Sequence, residues 1–471
     1  MKTLREKVFS NSTVLLLGRL IQMFLQVLMG IIIPKLVSPL KFGLWRSLMI
    51  IHQYATFANI GTYSAMGLEM PYHHGKGDFK KKNIVKTNTF YFNVFISSII
   101  GIGLIISALF TNGEYREFYV YGFVLFAFLT FFSNISDFYL QLLRVEKEFS
   151  LISKLTVLQI SSNMILSISL LIILENVLVL AFAIIISNLL LIYYSVKKCG
   201  IPIFNNFNKS ETIRLIYVGF PLLLNGILFE LIRSLDQILI IAFLNPEALG
   251  YYGLAVAIQR IGFLIPGVLG STTMPYLYEE FGRTHDIQRV SKIFEKSLTI
   301  VSLICAIVVV GMCVFIHLLI NYYLTDYTPS LPILYTLLLG MFSIGILGLP
   351  EILAAITGKM NNLIRWQSFS LLLTFISISI IIKLDYEIFE IAIASVTTYL
   401  IYSIGVLAIT FNIYEPKLNN IMKKIFFIFL PYIYLVLIFV SVNYFIVNPE
   451  LNFLNDLFIS CIKMILIILF Y

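Results

Sequence analysis

The chain predicts an all-α polytopic membrane protein of about fourteen transmembrane helices, arranged as two six-helix pseudo-repeated lobes plus two extra C-terminal helices. Three observations carry that prediction. Hydrophobic residues make up 59% of the 471 and charged residues only 12%, with mean hydropathy +0.92, far from the composition of a soluble domain. Apolar runs of about 20 residues, each long enough to cross a hydrocarbon layer of ~30 Å as a helix, recur along the whole length. A segment near Pro39 returns, diverged, 207 residues later near Pro246.

Taken in order, the spans fall near residues 12–36, 42–68, 84–110, 118–142, 153–174, 177–196, 214–243, 248–274, 297–320, 332–356, 363–382, 387–411, 424–446 and 453–471. Basic residues Lys2, Arg5 and Lys7 lead into the first without a small-residue cleavage site, so an uncleaved span is expected rather than a signal peptide. With the N-terminus inside, 24 of the 33 Lys and Arg fall on the cytoplasmic side, and only Lys35, Lys41, Arg46, Arg116 and Lys383 fall outside. That asymmetry follows the positive-inside rule and predicts cytoplasmic termini. The loops are too short to fold as domains, so function must reside among the helices.

The repeat sets the domain organisation. Pro39-Leu40-Lys41-Phe42-Gly43-Leu44-Trp45 and Pro246-Glu247-Ala248-Leu249-Gly250-Tyr251-Tyr252 each open a span that ends in Met-Pro-Tyr, at Met70-Pro71-Tyr72 and Met274-Pro275-Tyr276. Six spans separate the copies, so both enter the membrane from the same side and the repeat is parallel. The expected division is an N-lobe over 1–200 with helices 1–6, a C-lobe over 201–412 with helices 7–12 and its linker at 201–211, and helices 13–14 over 413–471.

Ionisable groups near a bilayer centre are expensive, so they mark candidate sites. In span one Arg19, Gln22 and Gln26 recur at i, i+3 and i+7, on one helical face. Span seven repeats the spacing with Glu230, Arg233 and Gln237 and adds Asp236. The offset of 207 places Arg260 of span eight over Gln53 of span two, beside His52. Against these stand plainer readings: Arg19 snorkels to the headgroups, Arg233 is neutralised by Glu230 and Asp236 on its own helix, and His52 is a hydrogen-bonded packing residue. Arg260 has no acid in its own span, which makes it the clearest cavity candidate. Glu351 and Lys463 lack local partners and fit interlobe and substrate contacts equally. Pro221, Pro266 and Pro350 are expected to interrupt spans seven, eight and ten.

No catalytic constellation is present: the five histidines have no H-E-x-x-H spacing, and there is no G-x-S-x-G, P-loop or dinucleotide fingerprint. The four cysteines form no C-x-x-C, and His73-His74 is weak as a metal signal. A non-enzyme without metal or cofactor is expected, with H⁺ or Na⁺ as a coupling ion. The net charge of +8 is spread as a topology signal, so nucleic acid is not an expected partner and the lipid bilayer is.

Gly18-Arg19, Pro39 to Trp45, Asn59-Ile60-Gly61, Glu69-Met70-Pro71-Tyr72, Gly75-Lys76-Gly77-Asp78, Gly219-Phe220-Pro221-Leu222 to Asp236 and Leu249-Gly250-Tyr251 resemble bacterial polysaccharide repeat-unit flippases of the Wzx type. These belong to the multidrug, oligosaccharidyl-lipid and polysaccharide exporter (MOP) superfamily. The resemblance implies a V-shaped central cavity. It also implies alternating-access transfer of undecaprenyl-pyrophosphate-linked oligosaccharide from the inner to the outer leaflet of the bacterial cytoplasmic (inner) membrane, for O-antigen, capsule or exopolysaccharide. Polysaccharide polymerase machinery is a further implied partner. It implies that Arg19 and Arg260, with Arg233, hold the pyrophosphate, and that Glu230, Asp236, Gln22, Gln26, His52 and Gln53 line the cavity or couple ions. His52 and Gln53 stand where the peptidoglycan branch would have an arginine. The alternatives are a cation-coupled multidrug extruder, kept open by Glu230 and Asp236, and a membrane polysaccharide polymerase or ligase.

Overall fold

In the computed structural model, which describes residues 4–202, 207–445 and 453–469, all regular structure is helical among the described residues. The helices are α1 Leu4–Leu36, α2 Pro39–Ala55, α3 Thr62–Gly75, α4 Phe79–Leu109, α5 Arg116–Val145, α6 Phe149–Leu174, α7 Val179–Cys199, α8 Lys209–Ile232 and α9 Leu235–Phe243. They continue as α10 Pro246–Gly262, α11 Leu264–Thr284, α12 Ile287–Leu318, α13 Leu331–Gly345, α14 Gly348–Ile356, α15 Met360–Lys383, α16 Ile388–Phe411, α17 Leu418–Phe445 and α18 Phe453–Leu469. Lys2, part of the 201–211 linker and the loop before span fourteen lie outside the described residues, as do the side chains of Arg5, Lys7 and Pro275.

Four of the fourteen expected spans are made of two helices each: α2 with α3, α8 with α9, α10 with α11, and α13 with α14. Twelve helical stretches among the described residues are each long and apolar enough to cross a membrane. Span two falls outside that set because its backbone breaks: Ile60 and Gly61 adopt left-handed φ of 45° and 81°. The Asn59 carboxamide holds the break, accepting from Gly61 N at 2.9 Å and donating to Thr56 O. Two of the three prolines stand at breaks, as expected, and one does not. Pro221 lies inside the unbroken α8, and that span breaks after Ile232 instead. Pro266 and Pro350 sit in the first turns of α11 and α14, where a missing N–H goes unused.

The chain divides into two compact units: unit 1 is Met1–Val37 with Leu44–Ile227, and unit 2 is Ser38–Gly43 with Leu228–Tyr471. Unit 1 packs α1 on α6, α4 on α5, α5 on α7 and α6 on α7, with α3 against α4 and α5. Unit 2 repeats that pattern: α9 on α15, α12 on α13, α13 on α16, α15 on α16, α11 against α12 and α10 against α13. The duplication is therefore one of packing as well as of sequence. The extra helices α17 and α18 pack on each other and on α12.

The unit boundary falls inside α8 rather than in the 201–211 linker, and the reason is a set of ties on its first half. Arg214 makes a bidentate pair with Glu69 of α3, Nη1 to Oε1 at 2.8 Å and Nη2 to Oε2 at 2.7 Å, and its Nε also reaches Glu211. Asn88 Oδ1 accepts from Asn208 N and from the Thr212 hydroxyl. At Gly219 the helix meets Gly61 backbone to backbone, where a Cβ on either residue would land on the other's carbonyl.

Unit 2 contains the second copy of the duplicated motif and the Ser38–Gly43 start of the first, and these touch. Each helix starts with a capping side chain followed by proline: Ser38 Oγ accepts from Lys41 N before Pro39, and Asn245 Oδ1 accepts from Ala248 N before Pro246. A Cβ on Gly43 would land on Pro246 O, and a Cβ on Gly250 would land on Pro39 O. Glycine is required at both because only its bare backbone permits this reciprocal approach. Tyr327 is edge-on to both Phe42 and Tyr251 and walls the crossing.

Gly250→Ala is expected to destabilise the purified protein by about 1–3 kcal/mol, the usual range for overpacking. Gly267→Ala, where the added methyl meets open space, should leave the thermal midpoint in detergent unchanged. The Glu69–Arg214 pair supplies a pH test. The Arg214 hydrogen bond holds the Glu69 carboxyl below its usual range. Its stabilisation is therefore complete above the unfolded value of about 4.3 and is lost as pH falls through the lower folded value. Glu69→Gln should lower the midpoint at pH 7 and flatten its decline on acidification.

Candidate functional site

The breaks in unit 2 place helix ends inside apolar spans, and the charged side chains gather there. Arg233 directly follows the end of α8, and Arg260 lies in the last turn of α10. Both occupy C-terminal helix ends, whose exposed carbonyls favour cations. Glu230, in the last turn of α8, lies between them: Oε1 is 3.1 Å from Arg260 Nη2 and Oε2 is 3.5 Å from Arg233 Nη1. The Arg233 guanidinium also lies over Phe263, 4.8 Å from the ring centroid, and at 5.6 Å from that of Phe229. Arg260 keeps 33% of its side chain exposed against 17% for Glu230. Arg260 is thus the open side of the cluster.

Asp236 is separate from that cluster and enclosed, at 1% exposure. It sits in the first turn of α9, where helix N–H groups favour an anion. Its Oδ2 accepts from Tyr252 Oη at 2.6 Å and Tyr399 Oη at 3.5 Å, and its Oδ1 from Gln237 N at 2.7 Å. Tyr252 Oη also reaches Ser395 Oγ. Gln237 is buried beside it. Glu351 stands in the first turn of α14, within the field of Arg233, and its buried Oε1 has no hydrogen-bond partner among the described residues. Within these broken spans of unit 2, three carboxylates, Glu230, Asp236 and Glu351, stand with the two arginines Arg233 and Arg260.

In unit 1 the expected face of span one divides. Gln22 donates to Thr156 of α6, and a Cβ at Gly18 would strike Ser153 of the same helix, so this stripe is turned into α6. Arg19 and Gln26, some 40–60° around the helix from Gln22, are exposed. His52 Nδ1 pairs with Thr130 Oγ1 of α5 at 3.0 Å and stands edge-on to Phe126. Gln53 is half-buried, its carbonyl accepting from Thr56. A buried amide relay runs from Gln159 to Asn188 to Ser133.

Sequence reasoning did not single out Tyr252 and Tyr399. Tyr252 ends the duplicated motif, the one signal that pointed toward it; Tyr399 lies in span twelve with nothing local to mark it. Lys463, expected to stand alone, is buried and donates to Asn443 Oδ1 at 2.7 Å. Asp456 on the same helix accepts from Tyr322 and lies 3.6 Å from His317 at the end of α12. These groups fasten the last two helices to the unit.

Duplicated helical packing, broken apolar helices and a charged cluster at the breaks define a multi-pass helical membrane protein. A structure described as the lipid II flippase MurJ in an inward closed conformation is similar over 98% of both chains, with 13% identity and a TM-score of 0.71. An inward-facing multidrug resistance transporter of the MATE family within the MOP superfamily also has a TM-score of 0.71, at 14% identity over 85% of this chain and 96% of its own. A MOP superfamily transporter from Pyrococcus furiosus, described as having a binding pocket of reverse polarity, reaches 0.63 at 15% identity over 86% and 95%. At these identities the likeness is one of fold. No curated protein sequence matches the chain. The family described as polysaccharide biosynthesis protein matches residues 32–332, well over half of the chain, and the chain belongs to that family.

Tyr252→Phe removes the short hydrogen bond to a buried carboxylate and is expected to destabilise unit 2 by about 1.5–3 kcal/mol. Tyr399→Phe, whose contact is longer, should cost less. Thermal unfolding of the two variants side by side checks the order.

Proposed function

We propose that the chain flips undecaprenyl-pyrophosphate-linked oligosaccharide repeat units from the cytoplasmic to the outer leaflet of the inner membrane by alternating access. In this reading it serves O-antigen, capsule or exopolysaccharide synthesis and keeps both termini in the cytoplasm. The observation that carries the reading is the paired guanidinium groups of Arg233 and Arg260 at two broken helix ends, Arg260 partly open, in a member of a polysaccharide biosynthesis family. Guanidinium forks match phosphate oxygens in geometry and keep their charge in an apolar setting. The pyrophosphate binds to Arg260 and Arg233, the sugars occupy wet interior space and the lipid tail stays in the bilayer. Arg19 of unit 1 remains a further pyrophosphate candidate from the family resemblance. Asp236 is the proposed site for a coupling H⁺ or Na⁺, because a buried carboxylate gains most from losing its charge or acquiring a cation.

A second reading, a cation-coupled multidrug extruder, is favoured by the three carboxylates in the broken spans of unit 2. Cationic drugs would seek Glu230, Asp236 and Glu351 rather than the arginines.

The two readings separate in the native host. In a strain lacking the gene, wild type should restore surface polysaccharide. Arg260→Ala should reduce it about tenfold or more, the equivalent of losing one charge-assisted hydrogen bond, while lipid-linked repeat units accumulate in the inner leaflet. Unchanged lipid intermediates together with new sensitivity to cationic dyes would falsify the flippase reading.

A further inference from the structure

Glu230 is placed against the electrostatics of its own helix. The other charges of the cluster match their helix ends: Arg233 and Arg260 at C-terminal ends, Asp236 and Glu351 in first turns. Glu230 is an acid in the last turn of α8, where exposed carbonyls oppose a negative charge. What holds it there is the pair of guanidinium groups, one on each oxygen. A carboxylate that gives one oxygen to each of two guanidiniums on separate helical segments copies the way two oxygens of a phosphate group would bridge them.

We infer that Glu230 is an internal stand-in for the substrate's phosphate: it occupies Arg233 and Arg260 when the site is empty and is displaced when a dianionic pyrophosphate diester binds. This rests on the flippase reading and adds to it a mechanism of loading, release and selection. Two guanidinium charges inside an apolar layer are costly, and the Glu230 carboxylate offsets part of that cost in the empty protein. An incoming anion must therefore do better than a carboxylate already in place. A monoanion such as a phosphodiester offers the arginines no more charge than Glu230 does and gains little. A pyrophosphate diester brings two charges and more acceptor oxygens, and it displaces the carboxylate. The site thereby selects diphosphate-linked over monophosphate-linked lipids through competition, with no contact to the lipid or the sugar. Release uses the same device in reverse, because Glu230 returning to the arginines lowers the cost of letting the pyrophosphate go. A transporter needs a site that holds its cargo and surrenders it, and two arginines without a competitor would only hold.

The test uses the full chain purified in detergent, with inorganic pyrophosphate and dimethyl phosphate as soluble probes and calorimetric titration as the readout. Glu230→Gln keeps the side-chain shape and removes the charge. It is expected to bind pyrophosphate about tenfold tighter than wild type, on the scale of one charge-assisted contact, and to gain measurable binding of dimethyl phosphate. Glu230→Asp, too short to span both arginines, should fall between the two, and it supplies the comparison if Glu230→Gln does not fold. Arg260→Gln should weaken pyrophosphate binding. If Glu230→Gln and Glu230→Asp bind pyrophosphate no tighter than wild type while Arg260→Gln still weakens it, competition is overturned and the arginine site stands. If pyrophosphate binding is absent throughout, or indifferent to Arg260→Gln, Arg233→Gln and the Glu230 variants alike, the arginine site of the proposed function falls with it.

Discussion

A charge inside an apolar layer needs a partner or an oriented dipole, and the inner architecture of unit 2 follows from meeting that need. An unbroken transmembrane helix offers neither, since its backbone groups bond one another and its ends lie at the surface. Breaking α8 from α9, α10 from α11 and α13 from α14 brings helix ends of both polarities to the interior of their spans. The arginines occupy the ends that expose carbonyls, and Asp236 and Glu351 occupy the ends that expose N–H groups. The breaks are thus the means by which a membrane protein of this composition carries two guanidiniums and three carboxylates within one unit.

The same economy of backbone appears where helices cross without side chains. Gly43 with Gly250 in unit 2, and Gly61 with Gly219 in unit 1, bring main chain onto main chain. Dispersion between backbones is most effective where no Cβ intervenes, and in lipid it replaces the hydrophobic effect as the force that brings helices together. The Gly43–Gly250 contact joins the two copies of one duplicated motif, each seated by a cap and a proline. A local signal for starting a helix therefore also positions the glycine that the crossing requires.

Much of the fold was legible because hydropathy and charge report what the bilayer demands of a segment. Fourteen apolar spans were read from run length, roughly matching the twelve helical stretches among the described residues that are long and apolar enough to cross a membrane, and the duplication was read from Pro39 and Pro246. Backbone continuity was not legible. Ile60 adopts a left-handed φ although it is β-branched, and the side chain that holds it there, Asn59, looks like any polar residue near a span end. Helical spacing grouped Arg19, Gln22 and Gln26 correctly on one side of α1, yet a difference of ~60° was enough to turn Gln22 into α6 and leave Arg19 exposed. In the candidate site, spacing within one helix brought out Glu230 and Arg233, and the repeat offset brought out Arg260. Partners from distant segments, Tyr399 on Asp236 and Asn443 on Lys463, depend on packing that no local pattern encodes.

The division of charge between the two clusters bears on how transport and coupling could share one unit. Glu230, Arg233 and Arg260 are partly open, which in the proposed flippase lets an anion exchange with the carboxylate there. Asp236 is closed off, wrapped by Tyr252, Tyr399 and a backbone N–H. Arg233 lies in the field of both, next to Glu230 in space and within electrostatic reach of Asp236 and Glu351. In the proposed flippase, neutralising Asp236 would remove a negative charge that Arg233 otherwise sees, and so strengthen the hold of Arg233 on the anion it faces. On that reading, the occupancy of the closed acid and the affinity of the open cluster are linked through the one guanidinium, and by reciprocity each alters the other.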